Sequence, residues 1–226
     1  MEFGNFTVAG LIAAAEMLVA AMVAMSVREW ARATMATRLK DPTPRLWGRV
    51  TLDPRSWFEP FGSGVLPGLI AILWAVGGVS FPVAAYAKPA PVDPSYFRNH
   101  RRDVILVSLA GPAANLILGI ASAIVLGSLG HGEVARAVAV FAWVQCSLAV
   151  FHLIPIPGLD GARMLALALP PHVREIYRNG DKYLALWVLL AIFVLGFLIP
   201  IQEAIAGAVC DGAAGVACLD EIASPT

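Results

Sequence analysis

Charged residues are scarce in this sequence. They make up 14% of its 226 residues, whereas hydrophobic residues make up 58% and the mean hydropathy is +0.73. Because a soluble domain carries about 25% charged residues, the composition excludes that class and predicts an integral membrane protein. The 16 basic residues are matched by 16 acidic residues, and this balance gives no case for nucleic-acid binding.

Cysteines are few, and the motifs of serine hydrolases are absent. The three cysteines contain no Cys-x-x-Cys pair, which rules out a thiolate metal cluster and leaves at most one disulfide. Cys210 and Cys218 are candidates for that disulfide, while Cys146 lies in an apolar run and is expected to pack in the core. No Gly-x-Ser-x-Gly motif is present, and no Ser or Cys can be matched with a positioned His and acid, so a serine or cysteine protease is disfavoured.

Long apolar stretches predict an all-α polytopic membrane protein, since about 20 apolar residues cross a hydrocarbon core of about 30 Å. These stretches are residues 7–27, 62–87, 104–129, 134–157 and 183–209, followed by a tail at 210–226. The first lacks the basic start and cleavage site of a signal peptide and is expected to be a retained transmembrane helix. Prolines and glycines interrupt 62–87, so a re-entrant or hairpin passage is weighed against a single crossing.

Basic residues predict the orientation. All 16 Lys and Arg residues except Arg136 fall in the polar segments 28–59, 88–103 and 163–182. If 62–87 returns to the side from which it entered, the positive-inside rule puts these segments in the cytoplasm and both termini outside. We therefore prefer a re-entrant or hairpin passage of residues 62–87 to a single crossing. Within the first segment, residues 48–54 alternate like a short strand, and a short β element is expected there.

The most informative stretch is Ser26-Val27-Arg28-Glu29-Trp30-Ala31-Arg32-Ala33. On a helix, the spacing of Arg28 and Arg32 puts them on one face. With histidines at both positions the stretch would read His-Glu-x-x-His, in which two imidazoles bind zinc and the glutamate is the general base. A guanidinium offers no lone pair to a metal. The chain therefore has the frame of a metalloprotease motif with neither histidine ligand.

Five segments, in this order, resemble the motifs of the short bacterial site-2 proteases, which are intramembrane zinc metalloproteases: residues 28–33, 48–54, 87–94, 110–115 and 151–161. The resemblance implies a three-helix core in the bacterial cytoplasmic membrane, with a membrane-associated loop at 87–94 beside the active site. It puts Glu29 at the general-base position, Asp160 at the carboxylate-ligand position and Asn115 at the asparagine of the second helix. Arg28 and Arg32 stand where the family has its zinc-binding histidines.

Electrostatics predicts what replaces the metal. Arg28 and Arg32 carry the two positive charges that zinc would bring to Glu29 and Asp160. A lone charge near the bilayer centre costs about 2.5–3.5 kcal/mol or more. We therefore predict an ion pair between Asp160 and Arg28 or Arg32 that ties the first core helix to the third, in preference to arginines that only reach the headgroups.

Two further polar residues are singled out. His152 replaces the family's usual asparagine and precedes Asp160 by eight residues. One histidine and two acids beside arginines make a poor zinc site, so a hydrogen-bonded core histidine is expected. Asn115 is expected to belong to a polar network.

These features favour a catalytically inactive homologue, a pseudoprotease that needs no cofactor. It would bind or scaffold other integral membrane proteins in the lipid bilayer as a subunit of a hetero-oligomeric complex, using a groove that in active relatives receives an unwound transmembrane segment. Two alternatives stay open. One is an active zinc protease that binds metal through Asp160, His152 and Glu29, and the other is a purely structural subunit of a larger membrane complex.

Overall fold

The structure, a computed structural model, describes residues 8–75, 83–170, 173–174, 183, 198–215, 218 and 222. Its helices are α1 (Val8–Arg38), α2 (Thr43–Leu46), α3 (Leu66–Ala75), α4 (His100–Leu126), α5 (Glu133–Leu153), α6 (Asp160–Ala166) and α7 (Leu198–Ala214). A π-helical turn, Pro60–Val65, leads into α3. Within this part of the chain α1, α4 and α5 are long and apolar enough to cross a membrane, and the predicted all-α polytopic fold is confirmed.

Helices α1, α4 and α5 form the core, with α4 antiparallel to the other two. The end of α1 packs on the start of α4, where Ala36 and Val107 share a buried cluster. Small residues allow these helices to approach closely. A Cβ added at Gly119 of α4 would lie 2.6 Å from the Sγ of Cys146 on α5. Gly119 therefore allows α4 and α5 to pack closely at this point.

The helices do not end where the apolar stretches end. Helix α1 continues eleven residues beyond residue 27, to Arg38, and stops where Lys40 adopts a left-handed backbone conformation (φ 78°). Helix α5 ends at Leu153, two residues before Pro155, since a proline restricts the residue that precedes it. Helix α7 runs to Ala214, past the predicted limit at 209, while most of the predicted span before residue 198 lies outside the described residues.

Both ends of the interrupted apolar stretch 62–87 lie side by side. The N–H of Tyr86 donates to Gly62 O (3.0 Å), and the N–H of Lys88 donates to Trp57 O (2.8 Å). The hydroxyl of Ser63 donates to Tyr86 O (2.8 Å). Residues 76–82 are outside the described residues, and the passage of this stretch through a bilayer stays a prediction.

The short strand expected at 48–54 is wrong. These residues form turns and bends, and the structure has no strand in any part of the chain that it describes. Side chains satisfy the backbone locally instead, because Thr51 Oγ1 accepts from Asp53 N (3.1 Å) and Asp53 Oδ1 accepts from Arg55 N (3.0 Å). An alternating pattern predicts a strand only where a neighbouring strand is available to pair with it.

Two features stabilise the end of the bundle opposite the motif. Cys210 and Cys218 form a disulfide, which answers the question left open by the sequence, and Cys146 is free and buried. Arg136 makes a bidentate ion pair with Glu16 of α1, with Nη1–Oε2 and Nη2–Oε1 distances of 3.0 and 3.2 Å. This pairing explains how a basic residue is accommodated away from the basic segments.

Candidate functional site

Helix α1 carries the motif residues into the core, and α6 begins at the acid that meets them. Arg28, Glu29 and Arg32 are 3%, 1% and 2% exposed, and Asp160 is fully buried. Asp160 reaches this position because the chain breaks after α5 at Ile154-Pro155-Ile156-Pro157 and restarts as a helix at residue 160. A Cβ at Gly161 would collide with Leu153 O, so only glycine permits the turn that brings Asp160 to α1.

Asp160 is held by both motif arginines. Arg28 donates from Nε and Nη2 to Asp160 Oδ2, at 3.1 and 2.6 Å. Arg32 Nε lies 3.2 Å from Oδ1 of the same carboxylate. The predicted ion pair between α1 and Asp160 is confirmed, and it involves both arginines rather than one.

Glu29 completes the network. Arg28 Nη1 contacts Glu29 Oε1, and Arg32 Nη1 lies 3.3 Å from Glu29 Oε2. The backbone N–H of Ala90 donates to Glu29 Oε2 at 2.7 Å, so the loop at 87–94 closes over the motif. Every carboxylate oxygen of Glu29 therefore faces a donor, and a charge that is expensive to bury is fully paired.

Arg163 also belongs to this site, although the sequence patterns did not assign it there. Its Nη1 lies 3.2 Å from Asp160 Oδ1. The available signal was its position three residues after Asp160, which puts both side chains on one face of α6. With Arg163 included, three guanidiniums contact the two carboxylates, and the side chain of Arg163 is partly exposed.

Gly111 lets α4 reach the arginines. A Cβ at this position would lie 2.7 Å from Arg28 Cγ and 3.1 Å from Arg32 Cγ. Neither stem can move aside freely, because the guanidinium at its end is held by ion pairs. The glycine is therefore a packing requirement of the network.

Substitution Gly111→Ala should lower the free energy of unfolding by about 1–3 kcal/mol, the usual cost of overpacking. The matched control is Gly212→Ala on α7, where an added Cβ has nothing within 4 Å. That variant should be unchanged or more stable by up to about 1 kcal/mol, since alanine favours helix. Thermal unfolding in detergent measures both, and equal midpoints for the two variants would contradict this packing role.

The loop over the motif is also attached to the turn after α1. The N–H of Asp93 donates to Asp41 Oδ2 at 2.8 Å. The N–H of Ser95 donates to Asp93 Oδ1 at 3.0 Å, and this bond lowers the pKa of Asp93 below its ordinary value. The loop is thus fixed at both Ala90 and Asp93.

The two other candidate residues, His152 and Asn115, differ in their hydrogen bonding. His152 is buried, and its Nδ1 lies 2.7 Å from Leu148 O. Asn115 is also fully buried, but neither atom of its amide is hydrogen-bonded to a described residue. The structure therefore does not place Asn115 in the polar network that we expected, because no donor or acceptor of α4 or its described neighbours reaches the amide.

The donor set does not fit a zinc ion. Zinc in proteins is bound by thiolate, imidazole and carboxylate groups, whereas two of the three ligand positions are guanidiniums without lone pairs. The remaining ligand, Asp160, is engaged by those guanidiniums. Within the described residues, no three His, Cys, Asp or Glu side chains are grouped as metal ligands.

Comparison with known proteins identifies the family. The chain is 32% identical over 189 residues to "Putative zinc metalloprotease YwhC" of Bacillus subtilis, and the match covers 79% of this chain and 80% of that protein. The chain belongs to the site-2 protease family. This site-2 protease homologue is also 35% identical over 179 residues to "Putative zinc metalloprotease Rip2" of Mycobacterium tuberculosis, with 76% of this chain covered.

The length of the match differs between relatives. The chain spans 64% of the Mycobacterium tuberculosis Rip2 and 63% of the Rip2 of Mycolicibacterium smegmatis, to which it is 31% identical. It thus corresponds to somewhat less than two thirds of those proteins. No protein-family profile and no solved structure matches this site-2 protease homologue.

Proposed function

We propose that this chain is a catalytically inactive site-2 protease homologue, a pseudoprotease that serves as a membrane-embedded binding or scaffold subunit for other membrane proteins. The observation that carries the proposal is the pairing of Arg28 and Arg32 with both Glu29 and Asp160. A general base must be free to accept a proton, and a metal ligand must offer a lone pair. In this network Glu29 and Asp160 already accept from guanidiniums.

The same network supports a structural role for the former active site. It joins α1, the loop at 87–94 and α6, which are distant in sequence, through buried charge-assisted hydrogen bonds. Such bonds are about twice as strong as neutral ones. A bundle held together in this way needs no metal to present a surface to another membrane protein.

The scaffold role is tested by comparing wild type with Glu29→Gln after solubilisation of host membranes in mild detergent. For a scaffold we expect an intact membrane protein to co-purify stoichiometrically with wild type. Glu29→Gln should not enlarge the set of bound proteins, because no cleavage has been blocked. A conservative Gln keeps the shape of the side chain while it removes the charge.

A protease would give the opposite pattern. Wild type would release cleaved fragments, and a full-length membrane protein would accumulate only on the Glu29→Gln variant. The scaffold role would also be contradicted if no membrane protein co-purified with either wild type or Glu29→Gln.

We also propose that the chain lies in the bacterial cytoplasmic membrane with its basic segments in the cytoplasm and both termini outside. The distribution of Lys and Arg supports this topology, as does the closeness of Tyr86 to Gly62, which brings both ends of the interrupted stretch together. Single cysteines placed at the exposed positions Arg101 and His131 test it. On intact cells, a membrane-impermeant maleimide should label His131→Cys and spare Arg101→Cys, and the reverse pattern would exclude this orientation.

A further inference from the structure

A cavity of about 470 Å³ lies beside the arginine network. It is bounded by the loop over the motif, the first turns of α4 and the end of α6. Arg32, Arg163 and Arg174 line it, and no acidic side chain is among the described lining residues. Glu29 and Asp160, which pair with Arg32 and Arg163, do not line it.

Arg174 brings a positive charge to the cavity that its described partners do not neutralise. Its Nε and Nη2 donate to the carbonyls of Ala166 and Leu169, both at 3.0 Å. Carbonyl oxygens are neutral acceptors, so the lining favours an anion.

Most of the remaining wall is apolar. Val92, Phe97, Val104, Val107 and Leu167 contribute to it, beside the polar side chains of His100 and Ser108. A cavity of this volume is within the range of about 300–1,000 Å³ for small-molecule sites. Guanidiniums beside an apolar wall match a ligand that has an anionic head and a hydrocarbon chain.

An extended peptide is a poorer match, because the loop that lines the cavity has few free backbone donors. Pro89, Pro91 and Pro94 have no N–H. The N–H groups of Ala90 and Asp93 already donate to Glu29 and Asp41. An added strand depends on main-chain hydrogen bonds, and this edge offers almost none.

We propose that the cavity binds the headgroup of one anionic membrane lipid, with Arg174 at its exposed side and Arg32 at its buried side. Basic pockets between transmembrane helices are known to hold such headgroups. The proposal does not depend on the catalytic state of the protein. Metal content and co-purifying chains decide the proposed function, while lipid selectivity decides this site, so the two can fail separately.

The test uses delipidated full-length protein in a non-ionic detergent, titrated with dioleoyl phosphatidylglycerol or with dioleoyl phosphatidylcholine and followed by native mass spectrometry. We expect one phosphatidylglycerol per chain, bound at least about fivefold more tightly than phosphatidylcholine, the factor for one basic side chain at an anionic surface. Arg174→Gln should remove about that fivefold preference, and Arg174→Lys should keep most of it. Arg101→Gln, an exposed charge outside the cavity lining, should leave it unchanged.

Several results would overturn the proposal. Equal affinity for the two lipids would exclude headgroup recognition. An equal loss in Arg174→Gln and Arg101→Gln would reduce the effect to general surface charge. Full displacement of phosphatidylglycerol by millimolar inorganic phosphate would make the cavity a site for free anions rather than for a lipid, and equally tight binding of a soluble acidic peptide would assign it to a protein ligand.

Discussion

Replacing Arg28 and Arg32 together by histidine should produce a chain that binds about one zinc ion, because it restores two imidazole ligands one helical turn apart. Asp160 already lies against this face of α1, within 3.2 Å of both arginines, and would supply the third ligand. Removing the two guanidiniums also frees Glu29 from both of its ionic partners. The expected product is a site with two imidazoles and one carboxylate.

Elemental mass spectrometry of the purified variant measures this gain. The matched control is Arg28→Gln with Arg32→Gln, which removes the same charges without supplying a ligand and should bind no zinc. If the double histidine variant folds, as judged by its unfolding transition, and still holds no zinc, then Asp160 is not positioned as the family's third ligand. Zinc in the double glutamine variant would show that the metal binds elsewhere.

Asp160→Asn should be the most destabilising single substitution in the site. It removes the negative charge that Arg28 and Arg32 share at Asp160, and the loss of one partner from a buried ion pair costs about 3–5 kcal/mol. The exposed residue Asp53 provides a control, since it caps a short helical turn and Asn caps nearly as well as Asp. Asp53→Asn should change the free energy of unfolding by no more than about 0.5 kcal/mol.

A double-mutant cycle separates the ion pair from other effects of this change. Combining Asp160→Asn with Arg28→Gln should cost less than the sum of the two single changes, by about 0.5–3 kcal/mol, because the second change removes a charge that the first left unpaired. Chemical unfolding in detergent gives all three values. Strict additivity, or an Asp160→Asn variant as stable as Asp53→Asn, would mean that the network does not hold α1 to α6.

The sequence predicted the part of the site that charge alone determines. Asp160 in an apolar chain needs a cation, and the spacing of Arg28 and Arg32 puts two on one face of α1. The contribution of Ala90 was not predictable, because a backbone N–H carries no residue-specific signal and its place depends on how the loop folds. Asn115 was assigned to a polar network from its chemistry, yet the packing of α4 leaves its amide without a described partner.

The fold was predicted at the level of class more reliably than at the level of boundaries. Apolar stretches indicate which residues can contact lipid. A helix, in contrast, ends only where its backbone leaves the helical conformation. Helix α1 therefore runs through the charged motif to Arg38, since burial and ion pairing accommodate its charges. The strand expected at 48–54 failed for a related reason, because pairing between strands is a tertiary event that a local pattern does not specify.

We propose that guanidiniums take the place of zinc in this member of the site-2 protease family. The most direct test of this proposal is the zinc content of wild-type protein purified in detergent without chelator, measured beside the Arg28→His, Arg32→His variant as a positive control. We expect wild type to hold less than about 0.1 zinc per chain, since a guanidinium cannot ligate a metal. Near-stoichiometric zinc in wild type that is lost when Asp160 or His152 is replaced would contradict this proposal. It would instead favour an active zinc metalloprotease.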